Sequence, residues 1–155
     1  KKLVNKILII DLDVHQGNGT AKIMEEVDSV FTFSVHGGSN YPFHKEKSDL
    51  DIPLPDGILG NEYLKIVENA LVTLLETVKP DFIFYLAGVD ILSTDKFGKL
   101  NVSIDECKHR DYLVLKTAKD NKIPVAIAMG GGYSPDIKDI LQAHCNTFRI
   151  AADLF

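Results

Sequence analysis

The sequence predicts an α/β fold built on a mostly parallel sheet, and two observations support this. Short apolar runs typical of strands alternate with longer amphipathic stretches typical of helices. The distinctive polar residues follow the apolar runs along the chain. Alternation of this kind implies parallel strands joined by right-handed crossovers. Ligands in such sheets bind outside the carboxyl ends of the strands, where those polar residues would lie.

The first half of the chain contains two predicted strands, at 7–10 and 30–35. Between them, a glycine-rich turn leads into a helix within residues 17–27. The stretch 36–60 is rich in glycine and proline and is predicted to be a long irregular loop, a feature that is usually functional or disordered.

The second half begins with the clearest predicted helix, at 61–78, where apolar residues form one stripe and Pro80 closes the helix. Residues 82–86 are apolar on both faces, as in a covered parallel strand. A capping box at 103–106 opens a helix to about residue 120. Residues 124–129 are predicted to form another interior strand. Ser134 and Pro135 are expected to start the last helix as its N-cap and first position.

Length and composition are those of a single globular domain over residues 1–155. Hydrophobic residues make up 45% of the chain, charged residues 25%, and the net charge is -5. An acidic chain is not expected to bind nucleic acid directly, and no apolar run is long enough to predict a membrane span. Cys107 and Cys145 lack metal-ligand spacing and are expected to be reduced core residues of a cytoplasmic protein.

Metal-binding residues stand at the ends of two predicted strands. Asp11, Asp13 and His15 alternate directly after the first strand, so they would share one side if the extended conformation continues. Asp90 follows the strand at 82–86. Asp13, His15 and Asp90 would supply one nitrogen and two oxygens, which with an open position is the layout of a catalytic zinc site. Because thiolates are absent from the set, ferrous iron is an alternative.

Tyr133 ends a glycine-rich turn after the strand at 124–129, at the same predicted edge of the sheet. Its hydroxyl could donate a hydrogen bond to an oxyanion that forms on a metal-bound carbonyl. Each motif alone has an ordinary structural explanation: Asp-x-His is usually incidental, an Asp after a strand often caps a helix, and a glycine run can be a tight connection. Their occurrence together at one edge favours a functional site.

These motifs resemble the zinc-dependent histone deacetylase family and its bacterial relatives, which include acetylpolyamine deacetylases and acetoin-utilisation proteins. The segments on which the resemblance rests are Asp-Leu-Asp-Val-His-Gln-Gly-Asn-Gly-Thr at 11–20, Ala-Gly-Val-Asp at 87–90 and Gly-Gly-Gly-Tyr at 130–133. Residues 40–46 and 49–55 are most similar to bacterial and class IV members. The resemblance covers nearly the whole chain and implies a three-layer arginase/deacetylase sandwich, incomplete at its N-terminus.

The resemblance also implies roles for individual residues. Zn²⁺ would be held by Asp13, His15 and Asp90, and Tyr133 would polarise the acetamide carbonyl. Asp11 would orient a catalytic histidine. A structural K⁺ site would be formed by Asp11, Ser34 and the backbones of Asp11, Asp13, His15 and Val35. The acyl-lysine tunnel would be lined by Phe43, Phe97, Gly131 and Gly132.

The chain departs from the family pattern in one respect that concerns catalysis. The family carries a His-His pair, its general base and acid, upstream of the first motif, and this sequence contains no such pair. His36, which follows the second strand, is the candidate for a substitute base. The chain is therefore expected to correspond to the C-terminal part of a deacetylase domain. Its incomplete sheet edge is expected to favour association.

The predicted activity is metal-dependent hydrolysis of N-acetyl or longer N-acyl amides, through a zinc-bound water and Tyr133. The substrate would be an acetylated lysine of a protein or an acetylated small amine, and the 155 residues alone are expected to be inactive. One alternative is a non-catalytic metal-binding fragment or regulatory remnant. A second is an arginase-like binuclear hydrolase, for which Asp95 is the nearest additional acid. A nucleotide-binding Rossmann domain is disfavoured because no Gly-x-Gly-x-x-Gly follows the first strand.

Overall fold

A computed structural model describes residues 4–155, which form a five-stranded sheet with helices packed against it. The strands are β1 (Ile7–Asp11), β2 (Val30–Gly37), β3 (Leu50–Leu54), β4 (Phe82–Gly88) and β5 (Val125–Gly130). The helices are α1 (Asn18–Met24), α2 (Gly60–Val78), α3 (Ile104–Asp120) and α4 (Ile137–Leu154). Every strand pair is parallel, in the order β3-β2-β1-β4-β5. This confirms the predicted α/β fold.

Strand β1 lies at the centre of the sheet, between β2 and β4. Its last residue, Asp11, is paired in register with Ser34 of β2 and Leu86 of β4. The carboxyl ends of these strands are therefore nearly level. The polar residues that follow them meet at one edge, as expected for a parallel sheet.

The main core lies on one face of the sheet. Leu8 and Ile10 of β1 are buried there, in register with Ile83 and Tyr85 of β4. Helix α3 contacts β4, and α2 and α4 both pack against α3. On the opposite face, Phe84 is 43% exposed among the described residues. The described chain thus covers one face of β4 and leaves the other face partly open.

Helices α2 and α3 follow the sequence prediction closely. Helix α2 buries one stripe that includes Val67, Leu71 and Leu74, and it ends where Lys79 adopts a left-handed conformation before Pro80. Helix α3 begins at the predicted capping box, in which Ser103 and Glu106 satisfy each other's backbone N–H groups.

Three elements differ from the prediction. Strand β5 pairs with β4 alone among the described residues and carries the exposed Met129, so it is an edge strand rather than an interior one. The 36–60 stretch contains a short strand, β3, whose edge position tolerates Pro53. Helix α4 is capped by Asp136 rather than Ser134, because the Asp136 side chain accepts the N–H of Lys138 and the Ser134 hydroxyl pairs with Thr94.

The two cysteines also differ in environment. Both are free thiols, Cys107 buried and Cys145 exposed, so the expectation of two core cysteines was wrong for Cys145. It lies on the side of α4 that faces solvent. Within residues 4–155, none of the helices combines the length and apolar character that a membrane crossing requires.

Candidate metal centre

The predicted ligands Asp13, His15 and Asp90 lie together beyond the ends of β1 and β4. One ligand atom from each lies within 4.8 Å of the others. His15 Nδ1 is 3.0 Å from Asp13 Oδ1 and 3.1 Å from Asp90 Oδ2. Asp90 is fully buried, whereas Asp13 and His15 are partly exposed. Two carboxylates and an imidazole therefore converge at a point that solvent can reach.

The local backbone explains this convergence. Leu12 and Val14 are buried in the core, so the alternating Asp13 and His15 point away from it. The Val14 N–H donates to Asp90 Oδ1 at 2.9 Å, which ties the segment after β1 to the segment after β4. The His15 N–H donates to Asp13 Oδ1 at 2.9 Å, and this bond forms a local turn between the two residues.

Two glycines of the predicted motifs leave room for the carboxylates. A Cβ at Gly88 would overlap Asp13, and a Cβ at Gly131 would overlap the carboxylate of Asp90. Gly131 also has φ +61, a conformation that other residues rarely adopt. Gly88 therefore allows the end of β4 to approach Asp13, and Gly131 allows the turn after β5 to approach Asp90.

The electrostatics of the cluster favour a bound cation. Burial, helped by the charges of Asp13 and Asp90, raises the pKa of Asp11 to about 7. Burial and the charge of Asp90 raise the pKa of Asp13 to about 6. The hydrogen bond to Asp90, with the charge of Asp13, raises the pKa of His15 to about 8 although burial opposes it. A divalent cation would offset this concentration of negative charge.

The donor set fits a borderline transition metal. One imidazole nitrogen and two carboxylate oxygens, with the fourth position open, suit Zn²⁺, and the same donors suit Fe²⁺. The second metal of an arginase-like site finds less support, because the Asp95 carboxylate is occupied by backbone N–H groups. It accepts from Phe97, Gly98 and Tyr133.

A cavity of about 450 Å³ opens above His15. It is walled mainly by aromatic and polar side chains: His15, Ser39, Asn40, Tyr41, Phe43, Phe97, Lys99 and Tyr133. The Tyr133 ring packs edge-on against the rings of Phe97 and His15, with centroid separations of 5.2 and 6.5 Å, respectively. Tyr133 is thus placed between the candidate metal ligands and an aromatic wall.

The structure brings the predicted tunnel aromatics Phe43 and Phe97 to the rim of this cavity, where both are well exposed. Gly131 and Gly132 lie behind Tyr133, where a Cβ would meet Asp90 and Ile140, respectively. These glycines therefore support the turn that carries Tyr133.

Three residues of the predicted K⁺ site, Asp11, Ser34 and Val35, are buried. Asp11 and Ser34 line a small cavity of about 10 Å³, and Val35 follows Ser34 in β2. His36 is buried, with Nδ1 3.0 Å from the Ser34 hydroxyl oxygen, and burial lowers its pKa. Asp11 and Ser34 therefore share one cavity, and His36 is linked to it through Ser34.

Sequence reasoning missed two residues that shape the cavity. The sequence suggests Asp95 only as a ligand for a second metal, yet its carboxylate accepts the backbone N–H groups of Phe97 and Tyr133. Asn40 is buried and donates to the Phe97 carbonyl oxygen at 2.6 Å. An Asp three residues before Gly98 is a recognisable turn signal that could have indicated Asp95.

The fold and this constellation together define a parallel α/β protein with a candidate metal site at the carboxyl edge of its sheet. The histone deacetylase domain family matches residues 1–148, and the chain belongs to that family. An uncharacterized protein of Picosynechococcus sp. is 45% identical over 99% of this chain and 51% of its own length. Histone deacetylase 2 of Arabidopsis thaliana is 32% identical over 84% of this chain and 34% of its own length.

Solved structures show the same fold. A histone deacetylase homologue from Aquifex aeolicus superposes with a TM-score of 0.81 at 25% identity, over 97% of this chain and 43% of that one. An acetylpolyamine aminohydrolase from Burkholderia pseudomallei superposes with a TM-score of 0.80 at 21% identity, over 97% and 46%. This confirms the arginase/deacetylase-like fold. The chain spans about a third to a half of the length of these curated relatives.

Proposed function

We propose that the full-length protein is a metal-dependent deacetylase that hydrolyses N-acetyl or longer N-acyl amides. The observation that carries this proposal is the convergence of Asp13, His15 and Asp90 below a cavity that Tyr133 also lines. Membership of the histone deacetylase family supports the same reaction class. In this proposal residues 1–155 form one domain unit that contributes the metal ligands and the oxyanion donor.

Asp13, His15 and Asp90 would hold Zn²⁺, with Fe²⁺ as the alternative ion. When bound, the metal would supply a Lewis acid that polarises the amide carbonyl and lowers the pKa of water. A structural K⁺ near Asp11 and Ser34 is part of the proposal, supported by the small cavity that both residues line.

Tyr133 would donate its hydroxyl proton in a hydrogen bond to the developing oxyanion of the tetrahedral intermediate. Asp11 would accept a hydrogen bond from a catalytic histidine and so orient it. The family's His-His pair does not occur in this sequence, so the proposal places the general base and acid outside these 155 residues. The chain alone is accordingly expected to show no turnover.

The cavity supports a substrate with a slender alkyl arm. Phe43, Phe97 and Tyr133 provide aromatic surface along which methylene groups could pack, and His15 lies at the inner end. An acetylated lysine of a protein and an acetylated small amine both have this shape. Similarity to a histone deacetylase and to an acetylpolyamine aminohydrolase supports these two classes.

The test is Tyr133→Phe in the full-length protein. We expect turnover of an acetylated amine to fall by about 10²–10³, the usual effect of removing one oxyanion donor, while the zinc content stays unchanged. Tyr112→Phe is the matched control, because Tyr112 lies exposed on α3 beside His109, outside the cavity. Unchanged turnover in Tyr133→Phe would contradict the assigned role.

The second candidate, a non-catalytic metal-binding remnant, is favoured by the missing His-His pair. The same assay separates the two functions. Turnover by the full-length protein supports the enzyme. Zinc binding without turnover on acetyl-lysine peptides or acetylated polyamines supports the remnant.

A further inference from the structure

Arg110 is a fully buried cation on α3 that reaches the backbone next to the metal ligands. Its Nη1 donates to the carbonyl oxygen of Gly88 at 2.6 Å and to that of Leu12 at 3.2 Å. Leu12 immediately precedes Asp13, and Gly88 lies two residues before Asp90. One guanidinium nitrogen therefore links the two chain segments that present the candidate carboxylate ligands.

The other side of the guanidinium is held by a buried acid. Nε and Nη2 donate to Asp111 Oδ1 at 3.0 and 2.7 Å. The hydroxyl of Thr147 on α4 donates to Asp111 Oδ2 at 2.7 Å, and the Tyr85 hydroxyl also donates to Asp111. Arg110 and Asp111 are both 0% exposed. Because every polar contact of the pair is directional, the guanidinium has one orientation relative to β1 and β4.

A gain in overall stability does not by itself account for a buried ion pair at this position. A buried ion pair is often no more stabilising than well-packed apolar residues of the same volume, since removing two charges from water is costly. The Arg110 guanidinium donates to the carbonyl oxygens of Leu12 and Gly88, at the point where the pairing of β1 with β4 ends. The hydrogen bond from the Leu12 N–H to the Leu86 carbonyl oxygen lies beside these contacts. The contacts fix the relative placement of two backbones.

We propose that Arg110 is a positioning residue that sets the separation of Asp13 and Asp90, with Asp111 as its anchor. The inference rests on the metal centre of the proposed function. Helix α3 contributes none of the proposed ligands, but through Arg110 it would control their geometry. Outer residues that orient metal ligands commonly change metal affinity by about 10–100-fold when they are replaced.

The test is Arg110→Lys in the full-length protein. Lysine keeps the charge opposite Asp111, but its ammonium cannot reproduce the planar fork that joins Asp111 to two carbonyls. We expect affinity for Zn²⁺, measured by competition with a chromophoric chelator, to fall by about 10–100-fold. We also expect faster amide hydrogen exchange at Val14, whose N–H donates to Asp90, relative to amides of α2.

Leu115→Ala is the control for lost stability, because Leu115 is fully buried on the same helix. It should lower the melting temperature while zinc affinity stays unchanged. Arg110→Met is a second variant, and if it fails to fold then Arg110→Lys alone decides. A folded Arg110→Lys protein with wild-type zinc affinity and wild-type Val14 exchange would overturn the inference.

A failure of the Arg110 inference can be distinguished from a failure of the proposed function. Asp13→Asn in the same titration tests whether zinc binds at the predicted ligands at all. If it leaves zinc affinity unchanged, the proposed metal centre is wrong. Val14 exchange still reports whether Arg110 holds the two segments together, because that measurement requires no metal.

Discussion

Asp95 shows how a single carboxylate can fix two walls of the cavity. Its Oδ1 accepts the N–H groups of Phe97 and Gly98 at 2.9 and 2.8 Å, and its Oδ2 accepts the N–H of Tyr133 at 2.7 Å. The rim loop and the turn after β5 are thereby joined through one side chain. The position of the Tyr133 ring depends on this junction.

We expect Asp95→Asn to disturb that junction. An amide offers one acceptor oxygen, so either the Tyr133 N–H or the pair from Phe97 and Gly98 would face an NH₂ group. In the full-length protein, kcat/KM should fall by about tenfold or more, since small displacements near a reacting centre are costly. The measurement is steady-state kinetics on an acetylated amine.

Asp81→Asn is the matched control for this prediction. The Asp81 carboxylate accepts the N–H groups of Asn5 and Lys6 near the amino ends of the strands, at the opposite edge of the sheet. The Asp81→Asn variant loses a comparable acceptor of backbone N–H groups, and Asp81 does not line the cavity. An equal loss of activity in both variants would show that Asp95 acts only through general stability.

At this scale, the sequence predicted residues whose position follows from periodicity. Asp13 and His15 alternate with buried Leu12 and Val14, so a period of two was enough to place them on one side. Arg110 was not predicted, although it lies in the buried stripe of α3 with Val114. Its partners are backbone carbonyl oxygens far along the chain, and such partners leave no local pattern.

At the scale of elements, strong local signals predicted helices well and edge strands poorly. The capping box at Ser103 marks the start of α3 because its bonds are made within four residues. The status of β5 as an edge depends on which strands lie beside it, which the run 124–129 does not encode. Strand β3 was missed because Pro53 argues against a strand unless the edge position is known.

The capping box gives a prediction for α3 itself. Ser103→Ala removes the hydroxyl that accepts the Glu106 N–H, so the free energy of unfolding should fall by about 1 kcal/mol. Thr73→Ala is the control, because its exposed hydroxyl bonds only to the Asn69 carbonyl of its own helix. Urea denaturation of the full-length protein measures both. A smaller loss in Ser103→Ala than in Thr73→Ala would contradict the assigned cap.

At the scale of the whole molecule, the described chain covers one face of β4 with helices and leaves the other face of β4 partly open. Phe84 is exposed on that open face of β4, and Met129 is exposed on the edge strand β5. An uncovered edge strand such as β5 can pair with another chain, which supports the expectation that an incomplete sheet edge favours association. The metal ligands lie at the carboxyl edge of the central strands, where the sheet and helix α3 hold them.

The most direct test of the central claim is a zinc titration of the metal-free full-length protein, with bound metal counted per chain. We predict one tightly bound equivalent that is lost in His15→Ala and retained in His109→Ala, since His109 is an exposed histidine of α3 outside the cluster. Retention of the full equivalent in His15→Ala would contradict a metal centre formed by Asp13, His15 and Asp90.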